Sequence, residues 1–281
     1  MFLILNADQW LLALAAFPSL LKILVFLATW LVIWLPLGIV VALIIKGRGK
    51  QFLAANQKLV LVGTLYLVSL IICWVTLQIE QTSPGAYGWN WGISLGLEVV
   101  LGCLIGVVGI GILVAIELVG GWVEWQEKKV EGLGRIILPT LAIALLVSTV
   151  EELIFRGIFL NILQQDYPLW TAAAISSTIF ALLHLVWEQK ETTPQVPGLW
   201  LMGMVLVAAR MANQGNLGLA IGLHTGWILA IATLDTAQLI KYPDPPNSWL
   251  VGRYGKPLAG LMGISLLLCT GLALQVIKDF L

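Results

Sequence analysis

Long apolar runs separated by short polar or Gly/Pro-rich breaks set the pattern of this chain. A helix that crosses a bilayer needs about 20 mainly apolar residues, and eight stretches qualify or come close: residues 20–45, 59–79, 93–119, 136–163, 170–187, 198–212, 217–234 and 258–277. The first apolar run begins at Leu11, too early for one straight helix. Pro18 is expected to split off a short interfacial piece, and Pro36 to kink the span that follows. The pattern predicts an all-α fold, a polytopic membrane bundle of about eight transmembrane helices.

Loop charges suggest an orientation, because Lys and Arg accumulate on the cytoplasmic side. Lys46, Arg48, Lys50 and Lys58 follow the first span, Lys128, Lys129 and Arg135 the third, and Lys241, Arg253 and Lys256 the seventh. The links after the second, fourth and sixth spans hold none, so both termini are expected on the outer face. Residues 120–135, with Trp122 and Trp125 among Glu124, Glu127, Lys128 and Lys129, read as an amphipathic piece lying along the interface. Tyr87, Trp89 and Trp91 read as an outer aromatic anchor, and Pro243, Pro245 and Pro246 as a non-helical link.

Composition strengthens this reading. Hydrophobic residues make up 59% of the 281 and charged residues 11%, against a soluble norm of roughly 45–50% and about 25%. Mean hydropathy is +0.96. The formal net charge is zero and there is no basic block, so nucleic acid finds no grip. No Lys or Arg precedes the first apolar run, so a retained first helix is expected rather than a cleaved leader. Cys73, Cys103 and Cys269 lie far apart in apolar segments without metal-ligand spacing and read as small hydrophobes.

Three charges stand inside an apolar helix: Glu151, Glu152 and Arg156. Ionisable groups there are costly and mark function by default. On a helix Glu152 and Arg156 are four apart and face each other, while Glu151 points about 100° away. The pair therefore reads as a structural ion pair or as a support, with Glu151 left to face a cavity. The only two histidines, His184 and His224, lie in later apolar helices. Each alone reads as a packing residue; together with Glu151 they offer a carboxylate base and imidazoles that orient water or stabilise an oxyanion. No Gly-x-Ser-Gly, Gly-x-Gly-Asp or His-Glu-x-x-His run exists. Glu151, His184 and His224 are nevertheless a ligand set of the type that holds an open zinc site, so zinc stays open as a cofactor. Arg210 is expected to snorkel to the interface, and Asp235 to lie in a loop.

Glu151, Glu152 and Arg156 as Glu-Glu-x-x-x-Arg, Phe180 and His184 as Phe-x-x-x-His, and His224 on a later helix together resemble the CPBP family, the CAAX proteases and bacteriocin-processing enzymes, also called Abi. The resemblance covers roughly residues 136–234. It divides the chain into N-terminal helices with the interfacial segment (1–135), a catalytic core (136–234), and a loop with a final helix (235–281). It implies a glutamate-type intramembrane endopeptidase without a cofactor, acting in the lipid bilayer on a membrane-associated or lipidated peptide or protein. Glu151 helped by His184 would activate water, His224 would serve the oxyanion, and Glu152, Arg156 and Phe180 would support them. The third family motif usually carries Asn four residues after its His, where this chain has Ile228. Thr225, Asn213 or Asn216 are the candidate substitutes. A catalytically weak or inactive member that binds or scaffolds a membrane partner is the alternative. A transporter would need inverted repeats, which the chain does not display.

Overall fold

A computed structural model describes residues 13–45, 55–127, 133–186, 189–242 and 249–278. The chain is an integral multi-pass membrane protein, a polytopic helical bundle in which seven helices among the described residues are long and apolar enough to cross a membrane. The principal helices are α1 (Ser19–Ile45), α2 (Ala55–Ile79), α3 (Ile93–Val119), α4 (opening as Leu133–Glu152), α5 (Leu169–Leu183), α6 (Val196–Ala212), α7 (Gly218–Thr236) and α8 (Leu261–Ile277). α8 falls just short of the spanning length that the other seven reach once the turns adjoining α5 and α6 are counted. Outward-facing side chains are large and apolar, Val32, Leu43, Ile71 and Leu272 among them, as expected of surfaces solvated by lipid rather than water.

By packing, the chain divides into two compact units, residues 1–86 with 161–167, and residues 87–160 with 168–281. In the first unit the helix starts after Pro18, where the sequence breaks it, and Pro36 lies within α1. The backbone N–H of Ser19 donates to Asp166 Oδ2 at 2.7 Å, so a carboxylate from a distant turn caps α1 at its electropositive end. That backbone hydrogen bond from Ser19 is the first cause holding the Asp166 carboxyl below its ordinary value. Lys22 pairs with Glu80 at 2.9 Å. Along the α1–α2 contact, the indoles of Trp30 and Trp34 donate to the Leu65 carbonyl and the Thr64 hydroxyl.

The second unit is organised by a close approach of α3 and α7. Gly102 and Gly106 on α3 face Gly222 and Gly226 on α7, and a Cβ on Gly222 or Gly226 would stand 2.3 or 2.4 Å from the carbonyl oxygens of Val99 or Cys103. Small residues four apart let membrane helices meet backbone to backbone, where dispersion takes the place of a hydrophobic driving force. The signal was present in the sequence as two Gly-x-x-x-Gly runs and went unused.

The fourth span departs from the straight helix expected over residues 136–163. After Glu152 it passes into a π-helical turn, Leu153–Phe159, before ending as Leu160–Leu163. The Leu160 N–H reaches the carbonyl of Phe155, five residues back. Phe155, Ile158, Phe159 and Leu160 are all buried, so the wide turn lies in the unit's core. π-turns inside α-helices frequently mark functional sites.

Residues 120–127, expected to lie along the interface, leave α3 through Gly120 and Gly121. They form the two-residue strand β1 (Glu124–Trp125), antiparallel to β2 (Ile240–Lys241). Residues 128–132 of that segment, and Pro243, Pro245 and Pro246, lie outside the described residues. In the expected aromatic anchor Tyr87 is buried and Trp91 exposed. Cys73 is buried, Cys103 half-buried and Cys269 exposed, all as thiols. Asp235, expected in a loop, lies in the last turn of α7 and meets Lys256 at 3.3 Å.

Candidate active site

Glu151 and Glu152 end the α-helical part of α4, immediately before the π turn. The Arg156 guanidinium donates to Glu152 Oε1 at 3.0 Å, and both side chains are sealed from solvent. The same oxygen accepts from His224 Nδ1 at 2.9 Å. Glu152 was expected to serve Arg156 alone; it also grips the imidazole. A carboxylate can only accept, so His224 carries its proton on Nδ1 and turns Nε2 away from Glu152. Nε2 stands 3.7 Å from Glu151 Oε2. The side chains follow one another in the order Arg156, Glu152, His224, Glu151, the first three linked by hydrogen bonds and the last by proximity.

His224 reaches this position because α7 is pressed onto α3 through Gly222 and Gly226, which flank it in sequence. The start of α7 is fixed as well, with the Leu217 N–H bonded to the Gly88 carbonyl. His184 ends α5 and runs into a 3-10 turn, His184–Val186. Its Nδ1 lies 2.8 Å from the Phe180 carbonyl, so this ring too is protonated on Nδ1 and presents Nε2. His184 joins the cluster indirectly. Its ring lies 4.5 Å from that of Phe180, and His224 contacts the same phenyl at 6.2 Å. The Arg156 guanidinium sits over that phenyl at 4.5 Å, a cation–π arrangement. Phe180 is thus the hub on which both imidazoles and the arginine are set, which three short motifs on separate helices do not reveal.

The sequence boundaries set His184 deeper towards the inner face than Glu151, and His224 towards the outer. The π turn and the 3-10 end of α5 replace the two straight helices on which that spacing was based.

Arg210 corrects an expectation outright. Rather than snorkelling, it is buried, its Nε donating to the Gly215 carbonyl at 2.8 Å and its Nη1 to the carbonyl of Arg156. The Ser176 hydroxyl donates to the carbonyl of Phe155 at 2.8 Å. Side chains from α6 and α5 therefore satisfy two carbonyls of the π turn, groups that cost free energy if buried unpaired. Gly203 on α6 leaves room for this arrangement: a Cβ there would stand 2.5 Å from Ser177 Oγ and 3.1 Å from Arg156 Nη2. Buriedness of an arginine is not visible in a one-dimensional pattern, and so Arg210 was missed.

Each substitute considered for the missing Asn has a partner outside the Glu151–His224 pair. Thr225 Oγ donates to the Ile221 carbonyl at 2.7 Å, Asn213 to Glu98 at 2.7 Å, and Asn216 accepts from Asn90. Ile228 is half-buried. Among the described residues no three His, Cys, Asp or Glu side chains are grouped to hold a metal ion. Glu151, His184 and His224 therefore do not fit as the zinc ligand set that their types allowed.

Residues 134–230 match the family described as type II CAAX prenyl endopeptidase Rce1-like. Over 204 residues, 72% of this chain and 89% of the relative, the sequence is 27% identical to an uncharacterized 24.3 kDa protein of Escherichia coli. No solved structure matches the chain.

Proposed function

We propose, on the match of residues 134–230 to the Rce1-like family of type II CAAX prenyl endopeptidases, that this chain is a glutamate-type intramembrane endopeptidase whose catalytic core is residues 136–234. Its substrate is a membrane-associated or lipidated peptide, in keeping with the prenyl endopeptidases that give the family its description. The observation that carries the reading is the Glu152–His224–Glu151 line, 2.9 and 3.7 Å across its two gaps.

Glu151 is the base. It takes a proton from water as the oxygen bonds to the substrate carbonyl carbon, and the resulting oxyanion needs a donor. His224 serves that need as an imidazolium that has taken a proton on Nε2 from solvent water before the attack, and Glu152 stabilises the cation through Nδ1. The proton held by Glu151 passes to the leaving amine as the C–N bond breaks. His184 orients the water through Nε2 from the far edge of Phe180. Arg156 supplies the positive charge that pairs with Glu152 at 3.0 Å, and buried charges are retained where they are paired and hydrogen-bonded.

The test is cleavage of a prenylated peptide, labelled by fluorophore and quencher on either side of the scissile bond, by purified protein in liposomes. Glu151→Ala and His184→Ala should abolish turnover and His224→Ala cripple it. Wild-type turnover in Glu151→Ala would sink the mechanism.

One observation favours a second reading, a catalytically weak or inactive member that binds a membrane partner. Thr225 and Asn213 bond elsewhere and Ile228 brings no donor, and an absent oxyanion donor costs roughly a hundredfold or more. Ile228→Asn separates the two. A rise in rate marks an incomplete oxyanion site, and no change shows that His224 suffices.

A further inference from the structure

We infer that a cavity between the C-terminal ends of α3 and α7 is a binding site for an organic cation, an ammonium or guanidinium group. The cavity has a volume of about 460 Å³ and is lined by Glu117 of α3, Asp235 of α7, and Tyr242 and Tyr254 from the segments beyond. That is within the usual size of small-ligand sites, roughly 300–1,000 Å³. It lies apart from the candidate active site but on the same helix: His224 to Ile231, the first cavity residue on α7, spans roughly 10 Å at 1.5 Å per residue.

Charge decides what the cavity takes. Glu117 is 2% exposed, and its Oε1 is buried with no hydrogen-bond partner among the described residues. The other described charges that line it are matched. Asp235 meets Lys256 at 3.3 Å, and Lys241 meets Glu124 at 3.9 Å across the β1–β2 bridge. Lys241 is largely exposed and already shared with Glu124, so it does not neutralise Glu117. Among the described residues one buried carboxylate is left over at the wall of a half-open cavity, and desolvated carboxylates are retained where a cation joins them. The phenol of Tyr242 reports the same negative field: burial first, then Glu117 and Asp235, push it up to about 12. Its hydroxyl donates to the Gly255 carbonyl at 3.3 Å, and the rings of Tyr242 and Tyr254 supply the faces on which a cation rests.

The backbone around the cavity is also held out of its ordinary range. Gln238 and Tyr254, both cavity residues, have φ of 50° and 57°. Left-handed backbone is uncommon for side chains of this size and gathers at ligand-binding sites.

The cation has two possible sources: a basic side chain of the peptide being cleaved, or a free small amine. The first rests on the peptidase reading; the existence of the site does not. Binding is measured on the purified full chain in detergent by titration calorimetry, with N-acetylargininamide as the probe and N-acetylnorleucinamide as its uncharged match. The argininamide should bind at least tenfold more tightly, and Glu117→Gln should remove that preference. Equal binding of the two amides by wild type, or an unchanged preference in Glu117→Gln, overturns the proposal. Ile231→Trp, which fills the cavity without altering a charge, provides a second check should Glu117→Gln fail to fold: binding that survives it overturns the assignment. The source then follows from cleavage kinetics. A raised KM in Glu117→Gln, confined to peptides with an arginine three to five residues from the scissile bond, assigns the site to substrate. Binding of the argininamide without competition against peptide assigns it to a free amine.

Discussion

Replacing Glu152 with alanine leaves the Arg156 guanidinium, 1% exposed, without the carboxylate it bonds at 3.0 Å. A buried charge whose partner is removed costs about 3–5 kcal/mol, because the lost attraction no longer offsets desolvation. Losing the 2.9 Å bond from His224 to the same oxygen adds to this. Against a native stability of about 5–15 kcal/mol, the loss is a large fraction. Removing both charges should be milder than removing one, since Arg156→Met in the Glu152→Ala background leaves no charge stranded. The assay is a double-mutant cycle by denaturant titration of the purified protein. The expected coupling is at least about 1 kcal/mol in favour of the double variant. Glu151→Ala is the contrast: Glu151 approaches His224 only to 3.7 Å, so turnover should vanish while stability falls by less than in Glu152→Ala. Glu152→Ala within about 0.5 kcal/mol of wild type, or strict additivity of the two substitutions, would refute the assignment of Glu152 and Arg156 as a buried support.

Other expectations follow from the same geometry. Gly226→Leu drives a side chain into the Cys103 carbonyl; it should cost about 1–3 kcal/mol of overpacking and move His224 off Glu151, read as a lower melting temperature together with lower kcat. Arg210→Ala leaves the Arg156 carbonyl without its donor, a loss of about 1.5–3 kcal/mol, and hydrogen exchange should quicken in residues 153–159. The lowered pKa of Asp166 sets a pH dependence. Its stabilisation of the α1 cap is present above the unfolded carboxyl value near 3.9 and fades as pH falls through the lower folded value. Asp166→Asn should flatten the acid limb of a pH melt. Chelator should leave peptide turnover unchanged, since the described side chains form no three-ligand group; loss of activity on chelation, restored by zinc, would contradict this.

The eight apolar runs anticipated the helices closely because a span is a local property: length and hydropathy suffice, and no tertiary partner is needed to keep a 20-residue apolar segment in lipid. The third span was read at its observed bounds, Ile93–Val119, and Pro18 ended the preceding turn as expected. The charged cluster was legible for a related reason. Glu151, Glu152 and Arg156 are conspicuous wherever the surroundings are apolar, and four-residue spacing already pairs Glu152 with Arg156.

Tertiary structure decided everything that depends on which helix faces which. Only packing shows that Glu152 holds His224 as well as Arg156, that Phe180 carries both imidazoles, and that Arg210 turns inward to a carbonyl of a π turn. The physical reason is that a sequence fixes the direction of a side chain relative to its own helix, whereas rotation and depth are set by contacts with neighbours. Hydropathy measures what a segment avoids, and so it determined that this chain lives in a membrane. The meeting of Glu151 and His224 was decided by Gly222 and Gly226 lying against the backbone of α3, a contact between residues more than a hundred positions apart.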